Sequence, residues 1–165
     1  MIFQPVLYVI GFLLSALSII LCIPAAVDAF YGDDQWQSFT FASLISLFFG
    51  IILILANKSE NFNISLKQAF LLTTLSWVFI AFFGSLPFVF SDLGLSFTDA
   101  FFESMSGITT TGSTILSGLD SLPHGILIWR SLLQWIGGIG IVVIAIAFLP
   151  ILKVGGMQLF HTESS

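Results

Sequence analysis

Three consecutive threonines followed by a glycine and a serine form the stretch of this sequence best suited to bind a ligand. Because β-branched residues and glycine are poor helix formers, the stretch favours an irregular, extended backbone. Its hydroxyl and carbonyl oxygens are groups of the kind that replace the water shell of a cation in selective pores. A glycine also permits the positive φ that turns consecutive carbonyls toward one axis. The sequence therefore predicts a cation-binding segment at Thr109, Thr110, Thr111, Gly112 and Ser113.

The composition places this segment in an integral membrane protein. Of the 165 residues, 57% are hydrophobic and 8% are charged, and the mean hydropathy is +1.08. Four charge-free windows each exceed the roughly 20 residues that cross the hydrocarbon core of a bilayer. These predicted spans are Pro5–Val27, Gln35–Asn57, Gln68–Ser91 and Ser131–Leu152.

The predicted cation-binding segment lies between the third and fourth spans, in the shorter and more polar window Ser104–Asp120. Because this window is too short to cross the bilayer, we expect it to enter and leave from the same side. Non-helical backbone at membrane depth is tolerated only where it is buried in protein or lines a water-filled path. The window is therefore interpreted as an ion-coordinating re-entrant loop.

A short helix is predicted immediately before the threonines. Ser96 and Asp99 have the spacing of a capping box at its start, and Gly107 is the expected stop after Ser106. The C-terminal end of such a helix carries about half a negative charge and points toward the threonines. This arrangement favours a cation beyond the helix end.

The charged residues set the expected orientation, because short loops that carry lysine belong on the cytoplasmic side. Lys58, Lys67 and Lys153 fall on one side of a chain with four crossings and one re-entrant loop, so both termini are expected in the cytoplasm. The first two spans would then be joined on the outer side by the acidic loop Asp28–Gln37. Acidic residues on that side would enrich cations near a pore mouth; they are Asp28, Asp33, Asp34, Asp92, Asp99 and Asp120.

Arg130 lies near the outer end of the fourth span, against the positive-inside trend. An arginine within the membrane is costly and normally has a partner. Glu103 on the short helix is the first candidate and Asp120 the second, and a pair with either residue would support the loop structurally. The alternative is that the Arg130 side chain extends to the outer headgroups.

A glycine cluster in the fourth span predicts close helix packing, because small residues let two backbones approach. It consists of Gly137, Gly138 and Gly140. Since the cluster lies inside a charge-free span, it is not expected to bind a nucleotide. No other bound cofactor is predicted.

Two further interpretations remain open. Ser104 and Ser106 are candidates for the nucleophile of an intramembrane serine hydrolase, but His124 and His161 are both predicted near membrane surfaces, too far away to act as the base. In a purely structural membrane subunit, Thr109–Thr114 would be interchangeable polar filler. We favour neither and predict that the chain is not an enzyme. Neither histidine has the spacing of a metal ligand.

Four stretches of the sequence resemble a known family. They are Thr98–Ser104, Gly107–Thr114, Trp129–Gly140 and Gly155–Leu159. In this order they resemble the membrane subunit of the bacterial Trk/Ktr potassium uptake family, closest to its TrkH/TrkG type.

The resemblance implies an all-α integral membrane fold, with a helical hairpin followed by one helix–pore loop–helix repeat of a potassium-channel-like architecture. It assigns the leading two-helix hairpin to residues 1–57 and a cytoplasmic linker to 58–67. The first repeat then covers 68–152, and 153–165 begin a cytoplasmic linker to further repeats that are absent here.

The resemblance also implies a function, which is potassium uptake across the bacterial cytoplasmic (inner) membrane. Potassium is the transported substrate, and Thr109–Ser113 would contribute the first quarter of the selectivity filter. Because the family surrounds one potassium pathway with four such loops, we expect the chain to be a fragment or truncation of the full transporter. The alternative is a short channel subunit that assembles as a homotetramer.

The partners implied by the resemblance are membrane lipid, a second copy in a homodimer of the full-length protein, and a cytoplasmic nucleotide-binding regulatory subunit. No nucleic acid is expected as a partner.

Overall fold

A computed structural model of the chain describes residues 3–58 and 65–162, and within them the chain is helical, without β-strands. Its elements are α1 (Gln4–Tyr31), α2 (Trp36–Ala56), α3 (Leu66–Phe90), α4 (Phe97–Ile108), a 3₁₀ turn (Leu119–Ser121) and α5 (His124–Thr162). All of the described α-helices except α4 are long and apolar enough to cross a membrane. The predicted all-α fold with four membrane-length helices is confirmed.

Some predicted features lie outside the described part of the molecule. They include most of the linker 58–67 and the side chains of Lys153 and His161. The backbone of α5 continues to Thr162, so the stretch predicted to begin a linker at residue 153 is helical up to that point.

α1 and α2 pack against each other through small residues. A Cβ on Gly11 would lie 2.8 Å from the carbonyl oxygen of Gly50, so the two backbones approach more closely than larger residues allow. Further along the pair, the Ser43 hydroxyl donates to the carbonyl of Ser18 at 2.8 Å. Since a buried hydroxyl needs a partner, this bond fixes how the two helices are aligned.

The ends of four helices meet at one end of the bundle, which we call the acidic end after Asp28, Asp33 and Asp92. Gln35 Nε2 donates to Asp92 Oδ2 at 3.0 Å and thereby links the start of α2 to the end of α3. Asp33 Oδ2 accepts the backbone N–H of His124 and lies 2.9 Å from the imidazole Nδ1. The side-chain hydrogen bond with His124 lowers the pKa of the Asp33 carboxyl below its usual range.

Asp28 differs from its predicted position in an exposed outer loop. It belongs to α1 and is fully buried, with Oδ1 accepting the backbone N–H of Gly125 at 2.5 Å. The N–H groups in the first turn of a helix have no partner within the helix and favour an anion, so the start of α5 stabilises this carboxylate. A Cβ on Gly125 would collide with the Asp28 carboxylate. The prediction was wrong because the donor lies far away along the chain.

The charge-free window of the fourth predicted span begins later than the helix itself. α5 starts at His124 rather than Ser131, directly after Ser121-Leu122-Pro123, a sequence typical of a helix start, and it runs through Arg130. The charge-free window excluded that arginine. α5 accommodates Arg130 because the guanidinium group has a buried partner.

α4 runs from the acidic end into the space between α3 and α5. The Ser96 hydroxyl accepts the Asp99 N–H at 3.2 Å and donates to the Asp99 carboxylate at 2.7 Å, so the predicted N-cap is present. The last turn of α4 contacts α5 at Gly137, which lies about 20 Å along the helix axis from His124 at a rise of about 1.5 Å per residue. Residues 109–118 then return to the acidic end. α4 and the residues that follow it therefore begin and end at the acidic end, while entry and exit on one side of a membrane stays a prediction.

The predicted stop of α4 at Gly107 is wrong, because the helix continues to Ile108. Gly107 is instead a packing residue, since a Cβ there would lie 3.0 Å from the Cβ of Leu133 on α5. The residues after Ile108 determine where the helix ends.

Gly137 makes the tightest approach between α4 and α5. A Cβ on Gly137 would overlap the Ile108 carbonyl oxygen, whereas one on Gly138 or Gly140 would have no described atom within 4 Å. Within the described structure, the close packing predicted for the glycine cluster therefore rests on Gly137.

We expect Gly137→Ala to lower the free energy of unfolding by roughly 1–3 kcal/mol, because overpacking forces α4 away from α5. The measurement is a titration of the purified chain in mixed micelles with a denaturing detergent. Gly138→Ala is the matched control, and it should be neutral or stabilising by up to about 1 kcal/mol through helix propensity. Equal losses in the two variants would contradict the proposed packing.

Candidate ion-binding site

The threonines that follow α4 end the helix in a Schellman motif. The Thr110 N–H donates to the carbonyl of Gly107 at 2.9 Å, and the Thr111 N–H donates to that of Ser106 at 3.0 Å. These are the two bonds that define the motif. The Gly112 N–H also donates to the Ser106 carbonyl, at 3.3 Å. The amide hydrogens of the segment are therefore used to satisfy the last carbonyls of the helix.

Two residues of the segment have left-handed backbone conformations. Gly112 has φ +75°, as the sequence predicts, but Thr110 also has φ +58°, where glycine is the usual residue. A side chain in this conformation costs about 1–2 kcal/mol. Such strain is concentrated at functional sites. Because Thr111 between them has no positive φ, the handedness alternates along the segment, which favours successive carbonyls on one side.

The carbonyl groups of the segment differ from its amides. Among the described residues, none donates a hydrogen bond to four consecutive carbonyl oxygens, those of Thr109, Thr110, Thr111 and Gly112. These four residues, here called the carbonyl segment, are exposed. A run of free oxygens is therefore left for a ligand, directly beyond the C-terminal end of α4.

The threonine hydroxyls are used differently. Thr109 Oγ1 donates to the carbonyl of Met105 at 2.8 Å and lies 2.9 Å from Thr111 Oγ1. These two hydroxyls are therefore engaged within the chain. The carbonyl oxygens, rather than these hydroxyls, are the groups available to an ion.

A buried carboxylate lies behind the segment. Glu103 is 2% exposed, and its Oε1 accepts from Arg130 Nε at 2.5 Å. Its Oε2 accepts from the Thr114 hydroxyl at 3.0 Å and from the Ile115 N–H at 3.2 Å. Since the Arg130 side chain is only 14% exposed, this is a largely buried ion pair. Asp120, the second predicted partner, lies in the exposed 3₁₀ turn.

Sequence reasoning missed two contributors to this geometry, Ser106 and Thr114. Ser106 accepts two amides of the segment and also donates its hydroxyl to the Ser113 carbonyl at 2.6 Å. Thr114 was placed beyond the predicted site, but its hydroxyl binds Glu103. The only signal in the sequence is that Ser106 lies shortly before the threonines and Thr114 shortly after them.

The described residues contain no arrangement that supports a serine hydrolase. The Ser106 hydroxyl binds a carbonyl, and the buried Ser104 hydroxyl has no partner among them. His124 is at the acidic end beside Asp33, away from both serines. The described residues also contain no group of three or more His, Cys, Asp or Glu that could hold a metal ion.

Comparison with known proteins shows the family of this chain. Residues 35–165 match the family model TrkH, described as "Cation transport protein". The chain belongs to the TrkH family. TrkH, the Trk system potassium uptake protein of Escherichia coli K12, is 45% identical over 98% of this chain and 34% of its own length. TrkI of Halomonas elongata is 47% identical over 98% of this chain and 33% of its own length.

A solved structure of the same family has the same fold. The crystal structure of the potassium transporter TrkH from Vibrio parahaemolyticus superimposes with a TM-score of 0.88 at 40% sequence identity. The match covers 94% of this chain and 34% of that one. The chain thus spans about a third of the length of its TrkH relatives. Together with the four apolar helices, the family membership makes it a multi-pass membrane protein.

We expect Glu103→Gln or Arg130→Met alone to lower the free energy of unfolding by about 3–5 kcal/mol, because each leaves the other charge buried without a partner. The double variant should lose less than the sum of the two. A double-mutant cycle on the detergent-solubilised chain measures the difference. A coupling energy near zero would mean that the pair does not support the fold.

The hydrogen bond between Thr114 and Glu103 can be tested separately. Thr114→Val removes a hydrogen bond to a charged group and should cost about 1.5–3 kcal/mol. The matched control is Thr40→Val, because the exposed Thr40 hydroxyl donates only to the Trp36 carbonyl of its own helix. That change should stay within about 0.5 kcal/mol.

Proposed function

We propose that the chain is part of a potassium uptake transporter of the bacterial cytoplasmic membrane and that Thr109–Ser113 contribute the first part of its selectivity filter. The observation that carries the proposal is the carbonyl segment, whose four oxygens have no donor among the described residues. Carbonyl oxygens in this role replace the water shell of a potassium ion. The names of the TrkH relatives, which are potassium uptake proteins, point to the same ion.

The electrostatics of α4 support a cation rather than an anion. The negative end of the helix dipole points at the carbonyl segment. The positive charge of Arg130 is paired with the Glu103 carboxylate, so it does not oppose a cation at the carbonyl segment. Asp33 and Asp92 at the acidic end would raise the local concentration of cations at the entrance.

One carbonyl segment supplies only part of an ion's coordination shell, so the proposed transporter needs further segments. Two assemblies meet this requirement. In the first, which we favour because the relatives are about three times as long, the chain corresponds to the N-terminal part of a transporter with further repeats. In the second, four copies of a short subunit surround one pathway.

The domain assignment and orientation are part of the same proposal. The hairpin covers residues 1–57 and the first helix–pore loop–helix repeat covers 68–152, with the linker 58–67 between them and 153–165 leading onward. Both termini are cytoplasmic, and the acidic end faces outward. Membrane lipid, a second transporter copy and a nucleotide-binding regulatory subunit are the proposed partners, on the basis of the family resemblance.

A chimera tests the function directly. In it, this chain replaces the matching third of TrkH from Escherichia coli, and the chimera is expressed in cells that lack their other potassium uptake systems. Gly112→Ser should reduce rubidium uptake by about tenfold and Gly112→Asp by more, since a side chain must fit where the carbonyls turn. Discrimination against sodium should fall as well.

The matched control is Gly94→Ser. Gly94 has φ +67°, close to the +75° of Gly112, and a Cβ there would meet no described atom within 4 Å, but it lies in the loop before α4. Both variants therefore carry similar backbone strain, and only one lies in the carbonyl segment. Unchanged uptake and selectivity in Gly112→Asp would rule out this segment as the filter.

A further inference from the structure

Ser106 occupies an unusual position in the last turn of α4. It is 6% exposed, and its hydroxyl donates out of the helix to the carbonyl of Ser113 at 2.6 Å. Serine hydroxyls within a helix commonly donate to the carbonyl one turn earlier. In this chain Ser15, Ser46 and Ser131 do so, at 2.9, 2.7 and 3.0 Å. The Ser106 hydroxyl is directed at the loop instead.

The bond divides the five predicted filter residues into two groups. The four carbonyl oxygens of the carbonyl segment have no described donor, whereas the fifth, that of Ser113, has one. A carbonyl that accepts a short hydrogen bond is fixed in direction, and the bound proton opposes a cation at the same oxygen. Ser113 therefore interrupts the series of available oxygens directly after Gly112.

We propose that Ser106 is a positioning residue for ion selectivity, whose hydroxyl holds the Ser113 carbonyl against α4 and so keeps that carbonyl away from the ion bound by the carbonyl segment. The inference rests on the function proposed for Thr109–Ser113. Ser113 then serves the site through this bond and not as an ion ligand.

The backbone bonds of Ser106 allow this role to be tested separately from a purely structural one. Its carbonyl accepts the N–H groups of Thr111 and Gly112, and any residue at this position retains those two bonds. Ser106→Ala therefore removes only the hydroxyl bond to Ser113. The helix end should persist, while the Ser113 carbonyl becomes free to rotate.

The transport test uses the chimera and compares rubidium with sodium uptake. Ser106→Ala should reduce the rubidium-to-sodium ratio by about 2- to 10-fold, the factor that corresponds to one hydrogen bond. Ser106→Thr, which keeps a hydroxyl, should restore the ratio. Ser104→Ala is the matched control, because its buried hydroxyl lies on the same helix and has no described partner. An unchanged ratio in Ser106→Ala would overturn the inference.

A spectroscopic test on the chain itself reads the bond directly. Ser113–Thr114 is the only Ser–Thr pair in the sequence, so ¹³C-carbonyl serine with ¹⁵N threonine gives a single N–CO cross-peak. Its carbonyl resonance should move upfield in Ser106→Ala, because a hydrogen bond to that oxygen is lost, and should not move in Ser104→Ala. A resonance unmoved in Ser106→Ala would overturn the inference even if that variant transports poorly.

The two proposals fail in different ways. If the unmodified chimera transports rubidium selectively and Gly112→Asp abolishes uptake, but Ser106→Ala keeps the wild-type ratio, only the role of Ser106 is wrong. If Gly112→Asp leaves uptake and selectivity intact, the filter assignment is wrong and the role of Ser106 falls with it.

Discussion

The buried carboxylate of Glu103 is the contact on which the arrangement of α4, α5 and the loop depends. Its two oxygens receive three donors, which come from Arg130 on α5 and from Thr114 and Ile115 beyond the carbonyl segment. Burying a carboxylate is costly unless it is paired and hydrogen bonded. This requirement therefore fixes both α5 and the chain that follows the carbonyl segment. If either moved away, the buried Glu103 charge would lose its hydrogen-bond donors.

The end of α4 adds a second constraint, which acts through the backbone. The amides of Thr110, Thr111 and Gly112 turn back onto the carbonyls of the last helical turn. This use of the N–H groups leaves the opposite side of each peptide, the C=O group, without a described partner. A segment that is anchored by its donors and free in its acceptors is suited to bind a cation without any acidic side chain. The strain at Thr110 is consistent with a conformation selected for such a purpose.

Much of this arrangement follows from local sequence. Long apolar stretches predicted the four membrane-length helices, and Ser96 predicted the start of α4. The glycine at position 112 predicted a positive φ there. The preference of a buried arginine for a carboxylate pointed to Glu103, where the structure places it. Each of these inferences depends on one residue type and its near neighbours, or on one unusual charge in an apolar span.

Other features depend on partners that the local sequence does not reveal. Asp28 is buried because the start of α5 offers it an amide, although Gly125 is far along the chain. Gly107 is inside α4 because Leu133 packs against it, and Thr110 takes the left-handed position where glycine would be predicted. The role of Ser106 depends on the path of the loop. These are tertiary effects, and they override local propensity.

The proposed function depends on the binding of the transported ion by the carbonyl oxygens of Thr109–Gly112. Anomalous scattering from crystals of the chimera grown with thallium(I), which substitutes for potassium, tests it most directly. We expect anomalous peaks within coordination distance of these carbonyl oxygens and not of the Ser113 carbonyl. A peak bound elsewhere, with the carbonyls of Thr109–Gly112 turned away from it, would contradict the account.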